Sequence, residues 1–313
     1  MIVVKKQKLN TIFAFTIMNL LVYILVYPII WLLSILPFKI LYFISDIIYL
    51  LVYYVIGYRK KVVFYNLKLT FPQKTDKELI KLRKLFYHHF VDIFIEMIKS
   101  FTVSKKEIYK RYQYTNLNFF TDLYKDGKSV VLVGPHYANW EWIMSLDSFV
   151  KYKGYAAYTK INNPYFNNQI LKSRTKFGTS LVQTSKVISE IKKNQKNNVQ
   201  AIYGLLSDQS PQLKKTFYWS EFLGIKVPIH TGAEMLAKRY DLNVVYMDVQ
   251  RIKRGYYQTT FSLITDNATK FEDYQITDIF LEKVEKQIRI NPEFYFWTHK
   301  RFKHKDKAPK EDS

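Results

Sequence analysis

His136 and Glu141, a histidine followed five residues later by a carboxylate, are the pair in this chain best suited by type to proton chemistry near neutral pH. An imidazole takes up and returns protons there, and a carboxylate beside it fixes its tautomer and stabilises the imidazolium. The spacing alone decides little, because the chain has six histidines and such matches arise by chance. On one continuous helix, residues five apart point about 140° away from each other. The pair can therefore meet only if His136 sits in a turn and Glu141 in the first turn of a helix. The flanking residues predict that arrangement: an apolar run, Val130 to Val133, stops at Gly134-Pro135, and Asn139 is a candidate N-cap. The histidine would then lie just past the carboxyl end of a buried strand, where α/β sheets place reactive groups. On these residues alone, a turn histidine merely held by a nearby acid remains an open alternative.

The chain has no cysteine and no Gly-x-Ser-x-Gly elbow, so no nucleophile for a covalent intermediate is evident. A base without a nucleophile suggests direct attack by a substrate hydroxyl on an activated group. Neither a metal nor a bound cofactor is expected. Gly127-Lys128-Ser129 resembles the end of a phosphate-binding loop, but Asp122 stands where the first glycine should be and the run precedes a strand.

The elements that must position His136 follow from hydrophobic period. Strands are predicted over 129–134, 154–159, 199–206, 242–249 and 256–264, and helices over 139–149, 164–177, 185–194, 231–240 and 277–290. This alternation predicts an α/β domain with a largely parallel sheet. Residues 58–104 read as amphipathic helix, with a capping box at Thr75 and Glu78. His88 and His89 are read there as ordinary helix residues, and Asp92 and Glu96 as solvated or capping carboxylates. The expected organisation is a membrane anchor over 1–58, a helical accessory segment over 59–115, an α/β domain over 116–302 and a charged tail over 303–313.

No charged residue lies between Lys8 and Lys39, long enough to cross a bilayer, and a second apolar stretch to Ile56 is broken only by Asp46. Basic residues flank both ends (Lys5, Lys6 and Lys8; Arg59, Lys60 and Lys61), so a hairpin and a single span with an interfacial helix both stay open. No signal-peptide cleavage site is evident. Lys and Arg number 48 against 26 Asp and Glu, a net charge of +22, which implies an anionic partner. No nucleic-acid-binding module is recognisable, so nucleic acid is not expected, and a membrane-tethered nucleic-acid-binding or scaffold protein is the rival reading from outside the enzymes.

Several blocks in order resemble the late acyltransferases of lipid A biosynthesis, the lauroyl/myristoyl acyltransferase family. Gly57-Tyr58-Arg59, Asn66-Leu67 and Phe71-Pro72 are similar to its segment after the anchor, and residues 136–141 to its His-x4-acid box. Asn163-Pro164, Arg174 and Phe177-Gly178 follow, then Asp208-Gln209, Phe222-Leu223-Gly224, Pro228 and Thr231-Gly232, and finally a C-terminal block over 291–302. The resemblance implies a glycerolipid-acyltransferase-like fold. It also implies transfer of a fatty acyl chain from acyl carrier protein, as co-substrate, to a hydroxyl of a lipid A precursor. His136 would be the general base and Glu141 would orient it. Asn139, Arg174, Asp208, Gln209, Lys300 and Arg301 would bind substrate, Arg174 by meeting phosphate or developing negative charge. The partners would be acyl carrier protein and an anionic glycolipid or phospholipid, at the cytoplasmic side of the inner membrane. Ser207 and Lys300 stand where many members carry arginine, and the spacer holding Lys214 and Lys215 is closer to versions from the Bacteroidetes. The nearest rival is the same chemistry on another membrane lipid.

Overall fold

The computed structural model describes residues 2–309, with side chains from residue 15 onward. The side chains of Lys5, Lys6 and Lys8, and residues 310–313 of the charged tail, lie outside the described residues. The chain opens with α1 (Ile2–Ile35), turns at Leu36-Pro37 and continues as α2 (Phe38–Leu50), whose last turns widen to a π-helix over Leu51–Ile56. Gly57, at φ 65°, ends that run in the left-handed conformation that glycine adopts without a Cβ penalty. Next come α3 (Lys60–Thr70) and α4 (Asp76–Lys99), the latter opened by the expected capping box of Thr75 and Glu78. α5 (Lys105–Arg111), β1 (Tyr112–Tyr114) and α6 (Asn118–Lys125) lead to β2 (Val130–Gly134).

The alternating part comprises β3 (Lys153–Tyr158), α7 (Pro164–Thr175), β4 (Ser180–Gln183), α8 (Val187–Lys196) and β5 (Ala201–Leu206). A hairpin of β6 (Tyr218–Phe222) and β7 (Ile225–Ile229) precedes α9 (Gly232–Tyr240), β8 (Asn243–Lys253), β9 (Tyr256–Thr265) and α10 (Gln275–Ile290). Seven strands form one sheet in the order β1-β9-β8-β2-β5-β3-β4, parallel throughout except for the β8–β9 pair. β2 lies at its centre, hydrogen-bonded to β5 and β8 and buried at every residue, which is why it reads as an unbroken apolar run.

All five expected strands are present, and the structure adds β1, β4 and the β6–β7 hairpin. β1 and β4 are edge strands of three and four residues, too short to show a period. The helix expected over 139–149 is instead a 3-10 helix, Trp142–Ser148, preceded by a turn.

Residues 15–35 and 38–56 are each long and apolar enough to cross a membrane, and could serve as an anchor. Each also has one face docked on the domain. From α1, Asn19 accepts from Asn163 through its carbonyl at 2.9 Å, and the Tyr23 hydroxyl bonds Gln169 at 2.8 Å. The Lys99 ammonium caps the end of α1 by donating to the carbonyls of Ser34, Ile35 and Leu36. α2 lies along α4, and its lone acid Asp46 is met by Arg254 from the β8–β9 turn at 2.6 Å. The same guanidinium holds Asp92 of α4 at 2.6 Å. The opposite faces stay bare: Leu25 is 70% exposed on α1, and Phe43 and Val55 are 65% and 76% exposed on α2 and its π-helical end.

Candidate active site

The turn that carries His136 is held from several sides. Gly134, the last residue of β2, has the Met247 side chain where a Cβ would stand, at 2.5 Å, so a larger residue would force Met247 to move. Ala138 sits at φ 49°, a left-handed conformation that costs a non-glycine residue about 1 kcal/mol or more. The C-terminal block compensates: Ala138 N donates to Phe294 O at 2.9 Å and Phe296 N donates to His136 O at 3.1 Å. The Tyr137 hydroxyl donates to Asn291 O at 2.8 Å. Trp140 and Phe296 flank the imidazole, with ring centroids 5.3 and 6.1 Å away.

The carboxylate hydrogen-bonded to His136 is Asp208: its Oδ1 lies 2.7 Å from His136 Nδ1. Asp208 follows the end of β5, and β5 is the immediate parallel neighbour of β2, so both residues leave the sheet at adjacent carboxyl ends. Burial alone would raise the Asp208 carboxyl, but the charge and hydrogen bond of His136 outweigh it and hold it below the usual carboxylate range. Among the described residues none bonds Nε2, which leaves that nitrogen for chemistry. The histidine opens into a cleft of about 560 Å³ between the ends of β3 and β5, α8 and the start of α9. Ser207, Gln209 and His230 supply polar wall, and Ile188, Leu206 and Met235 apolar wall. Burial and the nearby Arg301 charge lower His230 from its ordinary value.

Glu141 does not reach His136. It is gripped in bidentate fashion by Arg174 of α7, whose Nε donates to Oε2 at 2.9 Å and whose Nη2 donates to Oε1. The cause is local: Glu141 stands in the turn itself, as the residue that opens the 3-10 helix, and from there its carboxylate meets Arg174 of α7. That ion pair faces a second, largely apolar cavity of about 290 Å³ beneath α1, α4 and α7, with Ile30, Phe94, Met97 and Ile170 among its walls. The two cavities share no lining residue.

The other expected site residues part company in the same way. Gln209 lines the His136 cleft. Asn139 is buried: its Oδ1 accepts from Trp142 N at 3.1 Å, the capping role its type suggested, and its Nδ2 donates to Glu96 at 2.6 Å. It positions the turn and lines neither cavity. Lys300 lies on a different surface, with Lys61 and Lys303. Arg301 is turned inward, 1% exposed, donating to Pro228 O at 3.1 Å and stacking on Phe222. Sequence alone cannot tell which arginine of a basic run points inward.

Glu96, expected as a solvated or capping carboxylate, is fully buried. Besides Asn139 it accepts from Tyr42 of α2 at 2.8 Å and from Tyr257 of β9 at 2.9 Å. Burial, then the charge of Asp92, raises it to about 7 against these hydrogen bonds. His89 is likewise buried, and burial, then the Arg251 charge, pushes its imidazole well below the ordinary value.

A histidine held by a buried carboxylate at the strand ends of an α/β sheet, beside apolar cavities and two bare apolar helices, is an arrangement suited to an enzyme that works on lipids. A sequence profile of the bacterial lipid A biosynthesis acyltransferases matches residues 12–304, and the chain belongs to that family. It is also similar to the lipid A biosynthesis lauroyltransferase of Escherichia coli (strain K12), 23% identical over 279 residues, which cover 88% of this chain and 89% of that protein. The protein is thus an acyltransferase of lipid A biosynthesis.

Proposed function

We propose that this enzyme transfers a fatty acyl chain from acyl carrier protein to a hydroxyl of a lipid A precursor without a covalent acyl-enzyme. His136 Nε2 takes the proton of the acceptor hydroxyl as its oxygen attacks the thioester carbonyl. The C–O bond forms, the tetrahedral intermediate collapses with loss of the C–S bond, and the imidazolium returns the proton to the departing thiolate. Asp208 holds the tautomer that leaves Nε2 able to accept a proton. The observation that carries this reading is the His136–Asp208 bond, with Nε2 left open at the mouth of a cleft.

The apolar cavity behind Glu141 and Arg174 suits a hydrocarbon chain, and the lauroyl donor specificity in the name of the similar Escherichia coli protein fits a medium-length acyl group. An acidic carrier protein accords with the +22 charge. We assign the enzyme to the cytoplasmic side of the inner membrane, where acyl carrier protein is present. The docked faces of α1 and α2 favour a domain seated against the bilayer over one tethered at a distance from it.

The test is an assay of purified protein with acyl carrier proteins of several chain lengths and a tetra-acylated lipid A precursor, read by mass spectrometry. An added acyl mass that is lost in His136→Ala supports the reaction. A product formed only from other membrane lipids would move the acceptor to the rival reading. No product from folded protein would sink it.

A further inference from the structure

One cationic surface stands apart from both cavities of the catalytic region. Lys61, near the start of α3, and Lys300 and Lys303, in the C-terminal block, line a cleft of about 360 Å³ with Val62, Tyr65 and Asn66. Sequence places these lysines at opposite ends of the chain. Asn66 brings them together: its Nδ2 donates to Trp297 O at 2.9 Å and to His299 O at 2.8 Å. Arg59 adds a bond to Thr298 O at 3.0 Å. Stitched in this way, α3 runs beside the block that carries Lys300 and Lys303.

All three lysines are exposed, and among the described residues none is in an ion pair, whereas Lys68, Lys125, Lys128 and Lys238 each have a carboxylate partner. A cluster of unneutralised cations repels itself, and a bound anion relieves that repulsion. A stripe formed by Phe43, Ile47, Leu50, Tyr54 and Val55, all more than half exposed, precedes it in the chain, with Val55 six positions before Lys61. These residues recur at helical spacing on the face of α2 and its π-helical end that is turned away from α4. An apolar stripe that ends in cations is the pattern of a helix lying in the bilayer interface, with side chains in the acyl layer and charges at the headgroups.

We propose that the Lys61–Lys300–Lys303 cleft docks phosphate groups of anionic bilayer lipids and so seats the enzyme on its membrane. The occupant is a bilayer lipid and not the acyl acceptor, because the cleft shares no lining residue with the His136 cleft or with the Glu141–Arg174 cavity. It is not the acyl carrier either, since a water-soluble acidic protein has no use for the bare apolar stripe on the preceding helix. The proposal does not depend on which lipid is acylated.

The experiment is co-sedimentation of the full-length protein with phosphatidylcholine vesicles, with and without phosphatidylglycerol, at low and high salt. Phosphatidylglycerol should tighten binding and high salt should remove that increment. Lys61→Gln/Lys303→Gln should lose it by about tenfold or more, since each cation near an anionic surface contributes roughly a fivefold effect. Lys61→Arg/Lys303→Arg should keep it, and all three proteins should bind pure phosphatidylcholine equally. The Gln variant binding anionic vesicles as tightly as the wild type would overturn the proposal. So would a raised KM for donor or acceptor in detergent micelles, where no bilayer exists, because the cleft would then be a substrate or carrier site. Failure of the acyl-transfer reading appears separately, as absence of wild-type product in micelles while the vesicle result stands.

Discussion

Asp208 Oδ1 lies 2.7 Å from His136 Nδ1 across 72 residues of chain, while Glu141, five residues from that histidine, bonds Arg174 instead. Adjacent parallel strands, β2 and β5, create the first relationship, and the turn between Asn139 and the 3-10 helix creates the second. Two carboxylates with two different partners should answer mutation differently.

Asp208→Asn should lower kcat by about 10²–10⁴-fold with little change in KM, because an amide can present an N–H to Nδ1 and stabilise the unproductive tautomer. Glu141→Gln should act differently, by loosening its hold on Arg174 and disturbing the wall of the apolar cavity, which shows mainly in KM. Steady-state kinetics of both variants decide this. An equal loss of kcat in Glu141→Gln with unchanged KM would return Glu141 to the role of orienting the histidine.

Arg174→Ala leaves the Glu141 carboxylate against apolar walls. With side chains 27% and 13% exposed the pair is incompletely buried, so the expected loss of stability is about 1–3 kcal/mol, less than for a fully buried pair. Arg174→Lys should recover only part, since an ammonium cannot reproduce the two-pronged grip. Thermal melts of the two variants beside the wild type check the order.

Glu96 gives a pH dependence of defined sign. Its folded value of about 7 lies above the ordinary 4.5, so between these values the folded protein holds a proton that the unfolded chain has released. Its contribution to stability is therefore fully present below about 4.5 and is lost as pH rises through about 7. Glu96→Gln should flatten the fall in stability across that window. Denaturant melts at about pH 5 and about pH 8 measure the slope; an unchanged slope would show that Glu96 is not the group responsible.

Lys99→Met removes the ammonium that satisfies three carbonyls at the end of α1. The expected cost is about 1–3 kcal/mol, concentrated at the α1–α4 junction rather than in the sheet. Hydrogen exchange should therefore speed up around residues 30–36 and stay unchanged in β2. Uniform acceleration would mean that the junction and the sheet open together.

Much of this architecture can be read along the chain, because it depends on residues close in sequence. The β-branched run ending at Gly134-Pro135 specifies a buried strand and a stop, and Thr75 with Glu78 specifies the start of α4. The unbroken apolar stretches before Asp46 specify helices that seek lipid. Local steric and hydrogen-bonding preferences decide such elements, so His136 could be placed at a strand end before any partner was known. Which carboxylate would meet it could not be read the same way. Asp208 reaches His136 only because β5 pairs in parallel with β2, and Glu141 is drawn to Arg174 only because α7 packs beside the 3-10 turn. Glu96 could not be told from a solvated helix acid until Tyr42, Asn139 and Tyr257 closed around it. Lys61 and Lys300 became neighbours only through Asn66. Burial and charge pairing depend on distances between segments remote in sequence, and those distances exist only once the chain has folded.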